Sequence, residues 1–245
     1  MNHILARSRI ITVPLNRCVD EFGNLYGGNN SHFLVDAVGL LPDEEALKQH
    51  LRDSYKNNTL QSVNEALATN IGHPYGEHYF LPWEDSRVRQ LDRFLFSHKI
   101  GPTPEQALPL IIKRLREVFH SINKYGYRPA CNLGGYPRVI PLSDGTVTVY
   151  MLRDGNHRAA VLSHFKNETI EVIHDQDYFT PSTLASLLQR KSRRKNRPSL
   201  SRRVVSPEFS NEWPHVRNGV ITQALAEKLF IKKYARCFRS AENEN

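Results

Sequence analysis

The sequence predicts an α/β domain, and neighbouring segments between residues 108 and 173 carry this prediction. "RVIPLSDGTVTVYML" contains two apolar runs separated by the turn signal "SDGT", which is the pattern of a β-hairpin. Apolar residues recur at helical spacing before the hairpin, from Leu108 to Ile122, and after it, from about Asn156 to Phe165. "TIEVI" then alternates like a further strand. The order helix, hairpin, helix, strand favours a sheet covered by helices.

The length and composition are typical of a globular intracellular protein. A chain of 245 residues, 40% of them hydrophobic, can bury a substantial core. No window approaches the roughly 18 uninterrupted apolar residues of a membrane span, and the N-terminus has no small-residue cleavage pattern. Cys18, Cys131 and Cys237 are far apart and odd in number, which argues against a disulfide framework or a zinc site. We therefore expect a cytoplasmic protein that does not enter a membrane.

The net charge of +8 comes from one segment. Residues 190–203, "RKSRRKNRPSLSRR", hold eight Lys or Arg and no acidic residue, whereas the remaining 25 basic residues equal the 25 acidic ones. Such a run suits contact with nucleic acid or an acidic partner, and it is equally typical of a solvated linker. The candidate contact residues are Arg190, Lys191, Arg193, Arg194, Lys195 and Arg197.

The chain divides into three ranges by the strength of its patterns. Residues 1–72 form an N-terminal extension to which the sequence assigns no role. Residues 73–178 form the predicted core, and residues 179–245 combine the basic linker with a C-terminal helical extension. Trp213 is expected to pack that extension onto the core.

Polar residues concentrate where the second hairpin strand meets the following helix. The first N–H groups of a helix are unpaired and lie at the positive end of its dipole, which makes them an anion site. Gly155 would allow a phosphate to approach the backbone, while His157 and Arg158 can donate to it. A structural alternative stays open, in which Asp154 caps the helix and Arg158 pairs with a surface carboxylate. The candidate phosphate-binding residues are Asp154, Gly155, Asn156, His157 and Arg158.

The segment from about Phe80 to Ile173, with "DGNHR" at its helix start, resembles the ParB/sulfiredoxin superfamily. The resemblance implies a mixed-sheet domain of ParB/sulfiredoxin type with helical N- and C-terminal extensions. It also implies that the DGNHR helix start cradles the phosphates of a nucleotide, namely ATP, ADP or CTP with Mg²⁺.

The superfamily contains several activities, and this chain departs from two of them. Sulfiredoxins have a cysteine before the His-Arg pair, where this chain has Asn156, and the "GERR" motif of partitioning proteins is absent. The pattern is most similar to the free-serine kinases, whose upstream glutamate acts as base on the substrate hydroxyl. "WEDSRVRQL" places Glu84 in a similar position. The alternative is that Glu84 only complements a helix dipole, and Glu77 or Asp85 would then be the substitutes.

Two classes of function follow from this resemblance and from the basic run. The first is a kinase-type phosphotransferase or nucleotide hydrolase, which moves phosphate from a nucleotide to a small hydroxyl-bearing molecule with Glu84 as base. The second is a nucleic-acid-associated protein, either a nucleotide-gated DNA binder or a nuclease-like relative, which uses residues 190–203. A nucleotide sensor without catalysis is a third reading.

Overall fold

The computed structural model describes residues 10–27, 32–57, 62–71, 74–84, 105–129, 135–174 and 204–242. Its strands are β1 (Ile10–Pro14), β2 (Cys18–Val19), β3 (Arg138–Ser143), β4 (Thr148–Asp154) and β5 (Thr169–His174). Its α-helices are α1 (Phe33–Gly39), α2 (Glu44–Asn57), α3 (Val63–Leu67), α4 (Leu108–Tyr125), α5 (Asn156–His164), α6 (Pro214–Arg217) and α7 (Gln223–Glu242). Short 3₁₀ helices span Leu15–Arg17, Pro74–Glu77, Glu105–Ala107 and Pro207–Glu212.

The strands form one mixed sheet in the order β1-β5-β3-β4-β2. The predicted hairpin is the antiparallel pair β3 and β4, and the predicted last strand is β5, which runs parallel to β3. β1 pairs antiparallel with β5, and β2 pairs parallel with β4. The fold is therefore α/β, as the sequence predicts.

Both edge strands come from residues 1–72, the range predicted as an N-terminal extension. β1 and β2 complete the sheet, and β2 places Cys18 beside Tyr150 of β4. α1 packs against α5, and α2 against α4. This part of the chain belongs to the core and contributes to the region around α5.

The two faces of the sheet bury separate clusters of apolar side chains. On one face, α1, α2, α4 and α5 pack together over residues such as Val139 and Leu152. On the other face, α3 and α7 pack over Met151 and its neighbours. Trp213 is 1% exposed and meets Trp83 edge-on with ring centroids 5.3 Å apart, which confirms the expected packing of the C-terminal segment.

Cys18 and Cys237 are buried free thiols. Across the described ranges, every helix is too short or too polar to cross a membrane.

Candidate functional site

The turn between β4 and α5 depends on glycine. Gly155 has a φ of 95°, in the left-handed region, and serves as the N-cap of α5. A Cβ at this position would stand 2.6 Å from the Cβ of Pro137 and 2.9 Å from its Cγ. The glycine is therefore needed for the turn and for its packing against Pro137, rather than only to admit a phosphate as the sequence suggested.

Arg158 is buried in the first turn of α5 with incomplete pairing. The residue is 4% exposed, and its Nη2 lies 3.4 Å from Oδ2 of Asp154, which is itself 52% exposed. Its Nη1 has no hydrogen-bond partner within the described part of the chain, nor has the buried Oδ1 of Asn156. Burial lowers the pKa of the Arg158 guanidinium, and the nearby Arg114 lowers it further, although Asp154 opposes both effects. Such a cation is stabilised by an added anion.

The structural alternative to a phosphate site was a turn in which Asp154 caps α5 and Arg158 pairs with a surface carboxylate. The structure shows the carboxylate contact of Arg158, which is made with Asp154, but no side-chain cap. The first N–H groups of α5 thus keep the anion-binding character that a capping carboxylate would remove.

A cavity of about 400 Å³ opens over this turn. All five residues predicted for phosphate binding line it, so the structure brings them together. The other walls come from the segment before and within α1 and from the exposed side of α4. The lining residues beyond Asp154 to Arg158 are Asp20, His32, Phe33, Leu34, Leu110, Lys113, Arg114, Glu117, Val118 and Arg153.

Positive charge lies on both sides of the cavity. Arg153 and Arg158 belong to the turn, whereas Lys113 and Arg114 come from α4. Lys113 has a carboxylate nearby, since its Nζ lies 4.0 Å from Oε1 of Glu117. The facing positions of Arg114 and Arg158 concentrate cationic groups around one space, which favours an anionic ligand.

Asp20 and His32 form a buried pair at the cavity that sequence reasoning missed. The Nε2 of His32 lies 3.2 Å from Oδ2 of Asp20, and its Nδ1 accepts from the backbone N–H of Leu34. Nε2 is therefore the nitrogen that donates. Asp20 also accepts from the backbone of Phe22 and Asn24. Burial opposes ionisation of Asp20, but the hydrogen bonds from His32 and Asn24 outweigh it and lower the pKa of this carboxyl.

The signal for this pair lay in long-range strand pairing rather than in a motif. β2 runs parallel to β4, so the two strands end at the same edge of the sheet, and Asp20 follows β2 directly. The Ser163 hydroxyl of α5 donates to the Tyr26 carbonyl and joins the segment after β2 to the helix. The "DEFGN" turn is visible in the sequence, but its position beside residues 153–158 is not.

Glu84, predicted as the catalytic base, is not among the residues that line the cavity. It is 2% exposed, and its Oε1 accepts from Nη1 of Arg153 at 3.1 Å. Arg153 itself lines the cavity, so one ion pair joins Glu84 to the predicted phosphate site. The predicted helix start after Glu84, including Asp85, falls outside the described residues.

Lys233 of α7, on the other face of the sheet, is within the electrostatic influence of Asp20 and Glu84. Its Nζ lies 4.8 Å from the centre of the Tyr79 ring and 5.5 Å from that of Phe22, and it donates to the Tyr79 hydroxyl at 3.3 Å. Burial lowers the pKa of Lys233 to about 8, against the attraction of Glu21, Asp20 and Glu84. This lysine offsets part of the charge of the buried carboxylates.

A resident metal centre has no support in the described ranges, where no three His, Cys, Asp or Glu side chains are grouped to hold an ion. Asp20 already accepts several hydrogen bonds, and Glu117 lies near Lys113. Asp154, half-exposed at the cavity, is the carboxylate that suits Mg²⁺ bound mainly by phosphates and water.

The basic run at residues 190–203, with its six candidate contact residues, lies outside the described residues. Comparison of the chain with protein-family models, curated proteins and solved structures gave no match.

Proposed function

We propose that this protein binds a nucleotide through its phosphates at the β4–α5 turn and transfers a phosphoryl group to a hydroxyl of a small molecule. The observation that carries the proposal is Arg158, which is buried at the cavity with Nη1 unpartnered among the described residues. A buried cation without full compensation is costly, and a phosphate would provide both the charge and the acceptor oxygens.

Three features around Arg158 favour a phosphate over a carboxylate. The N-terminal N–H groups of α5, the Arg158 guanidinium and the α4 cations can donate from different directions to an anion with several oxygens. The cavity of about 400 Å³ also has room for more than a free phosphate ion. The resemblance of "DGNHR" to the ParB/sulfiredoxin helix start agrees with this ligand class.

The transfer step would use Glu84 through its pairing with Arg153. Arg153 contacts Glu84 in this structure and also lines the cavity. A bound phosphate would draw the Arg153 guanidinium toward the cavity, and the acceptor hydroxyl would have to enter the space beside Glu84 for the carboxylate to take its proton as the phosphoryl group leaves the nucleotide. Asp154 would help to hold Mg²⁺ with the phosphates, and the nucleotide supplies the group that is transferred.

A thermal-shift panel with ATP, ADP, CTP and GTP in the presence of Mg²⁺ tests the binding proposal. A nucleotide at 100 times its Kd stabilises the folded state by about 2.7 kcal/mol, so at least one should raise the Tm of the wild type. Arg158→Ala should remove most of that increase. Arg114→Ala, which removes an exposed cation from the opposite wall, should reduce it without disturbing the buried turn.

The matched control is Arg116→Ala on the same helix, because Arg116 pairs with Glu44 at 3.0 Å and does not line the cavity. It should leave the nucleotide-induced increase unchanged. If no nucleotide stabilises the wild type, or if Arg158→Ala retains the full increase, the proposal is wrong.

A further inference from the structure

Helix α7 carries a row of cations on its outward side. Lys228, Lys232, Arg236 and Arg239 are all exposed and follow one another at intervals of four, four and three residues. At 3.6 residues per turn and 1.5 Å per residue, these positions fall within an arc of about 80° and extend over about 16 Å. We call this set of four side chains the α7 basic face. The opposite side of the helix is buried against the sheet through residues such as Phe230 and Phe238.

The α7 basic face lacks carboxylate partners within the described ranges. No ion pair there includes any of its four side chains, and the acidic residues of the helix are engaged elsewhere. Glu227 accepts from Ser210 and Gln223, and Glu242 accepts from the Thr146 hydroxyl at 3.2 Å. Four like charges on one helix side repel one another.

Helices α2 and α4 show the contrasting arrangement in the same molecule. Lys48 contacts both Glu44 and Glu45, and Arg52 forms a two-point contact with Glu105 at 2.8 and 3.0 Å. Arg116 of α4 reaches Glu44 of α2. Lys48, Arg52 and Arg116 are thus balanced by neighbouring carboxylates, whereas no such partner of the α7 row is found among the described residues.

We propose that the α7 basic face binds the phosphate backbone of a nucleic acid. The row of four cations extends over about 16 Å, and a nucleic acid strand presents one phosphate per about 3.4 Å of axis, so about four to five phosphates of one strand fall within the length of the row. A membrane surface fits less well, because a helix that lies in a bilayer interface needs a free apolar side. The apolar side of α7 is buried in the core, and Ile231, 53% exposed, is the large apolar side chain near the row.

This surface is independent of the nucleotide site proposed above. α7 covers one face of the sheet, whereas α1, α4 and α5, which border the cavity, cover the other. Loss of one binding activity would therefore leave the other intact, and the two proposals fail separately.

Fluorescence anisotropy with labelled duplex DNA, single-stranded DNA and RNA tests the inference in the full chain. The test variant replaces Lys228, Lys232, Arg236 and Arg239 with Gln. The matched control makes the same change in charge at Lys48, Arg52, Lys56 and Arg116, which lie on α2 and α4 outside the cavity. Thermal unfolding of each variant checks that the fold is kept, as expected for the exposed side chains of the α7 basic face. The control can lose some stability, because Lys48, Arg52 and Arg116 are half-buried and paired with carboxylates.

For four phosphate contacts, the slope of log K against log salt should be less negative in the test variant by about 3.6 for duplex DNA and about 2.8 for a single strand. The control variant should bind with the slope of the wild type. The inference is overturned if the wild type binds none of the three nucleic acids at about 50 mM salt. Equal losses in both variants, or binding only to phosphatidylserine vesicles, would overturn it as well.

Discussion

Two charged regions flank the end of β4, and their charges are balanced in different ways. Behind the strand, Glu84 lies 3.1 Å from Arg153, with Lys233 close enough to attract it. In the cavity, Arg158 is as deeply buried, and among the described residues its carboxylate neighbour is the half-exposed Asp154, 3.4 Å away. Within the described part of the chain, the Arg153 guanidinium therefore has a buried carboxylate partner, whereas Nη1 of Arg158 has no partner. This difference identifies the cavity side of the turn as the place where ligand charge is expected.

The largest expected effect is the loss of catalytic rate in the variant Glu84→Gln. The amide keeps an acceptor for Arg153, so binding of the Mg²⁺-nucleotide should be preserved, whereas phosphoryl transfer or hydrolysis should fall by about 10²- to 10⁴-fold because the base is lost. Product formation and nucleotide affinity, measured on the same preparation, separate the two effects.

Glu77→Gln is the control for that measurement, since Glu77 is exposed and bonded to the side chain of Asn64. It should retain full activity. If Glu77→Gln abolishes turnover and Glu84→Gln does not, the base has been assigned to the wrong carboxylate.

Gly155→Ala should strongly destabilise the turn that organises the cavity. A left-handed alanine costs about 1–2 kcal/mol, and the contact with Pro137 adds about 1–3 kcal/mol of overpacking. Gly145→Ala is a matched control, because Gly145 has a similar φ of 105° with nothing within 4 Å of the added Cβ. Urea unfolding should show a larger loss for Gly155→Ala. Equal losses would mean that Pro137 does not restrain the turn.

A smaller expected effect is a pH-dependent change in the free energy of unfolding that arises from Lys233. The folded protein releases this proton at a pKa of about 8, whereas an unfolded lysine holds it to about pH 10.4. The unfolded state therefore binds more protons between these values, and the free energy of unfolding rises with pH there. Below pH 8 the cost of burying the charge is fully present.

Lys233→Met removes this contribution. The free energy of unfolding of the wild type should therefore rise relative to that of the variant from about pH 8 to 10, with a slope below about 1.4 kcal/mol per pH unit. Lys232→Met, next to it and exposed, should follow the wild type. Parallel curves for the wild type and Lys233→Met would show that the lysine titrates normally.

The fold was predictable where local signals determine it. Alternating apolar residues and the "SDGT" turn indicate the hairpin, and helical spacing after Gly155 indicates α5. The edge strand β2 was not predictable, because it contains only two residues and forms through its distant partner β4. The pairing of Glu84 with Arg153 likewise joins positions 69 residues apart, and no spacing rule connects them.

The residues of the β4–α5 turn were predictable from the sequence, but the residues of α4 that form the opposite wall of the cavity were not. The run from Asp154 to Arg158 is contiguous, so its chemistry is visible in the sequence. Arg114 appears in the sequence as one of several charged residues on the exposed side of a helix, and only the packing of α4 against α5 turns it toward Arg158. Tertiary packing supplied this half of the cavity.

Phosphate binding at the start of α5 is tested most directly by a titration with Mg²⁺-nucleotide followed by NMR on the assigned backbone amides. If phosphates bind at the start of α5, the amides of Asn156, His157 and Arg158 should show the largest shifts, because those N–H groups would donate to the ligand. Arg158→Ala should weaken the response at the remaining two positions. Shifts that cluster elsewhere, with these three amides unchanged at saturation, would show that the phosphates do not bind at the start of α5.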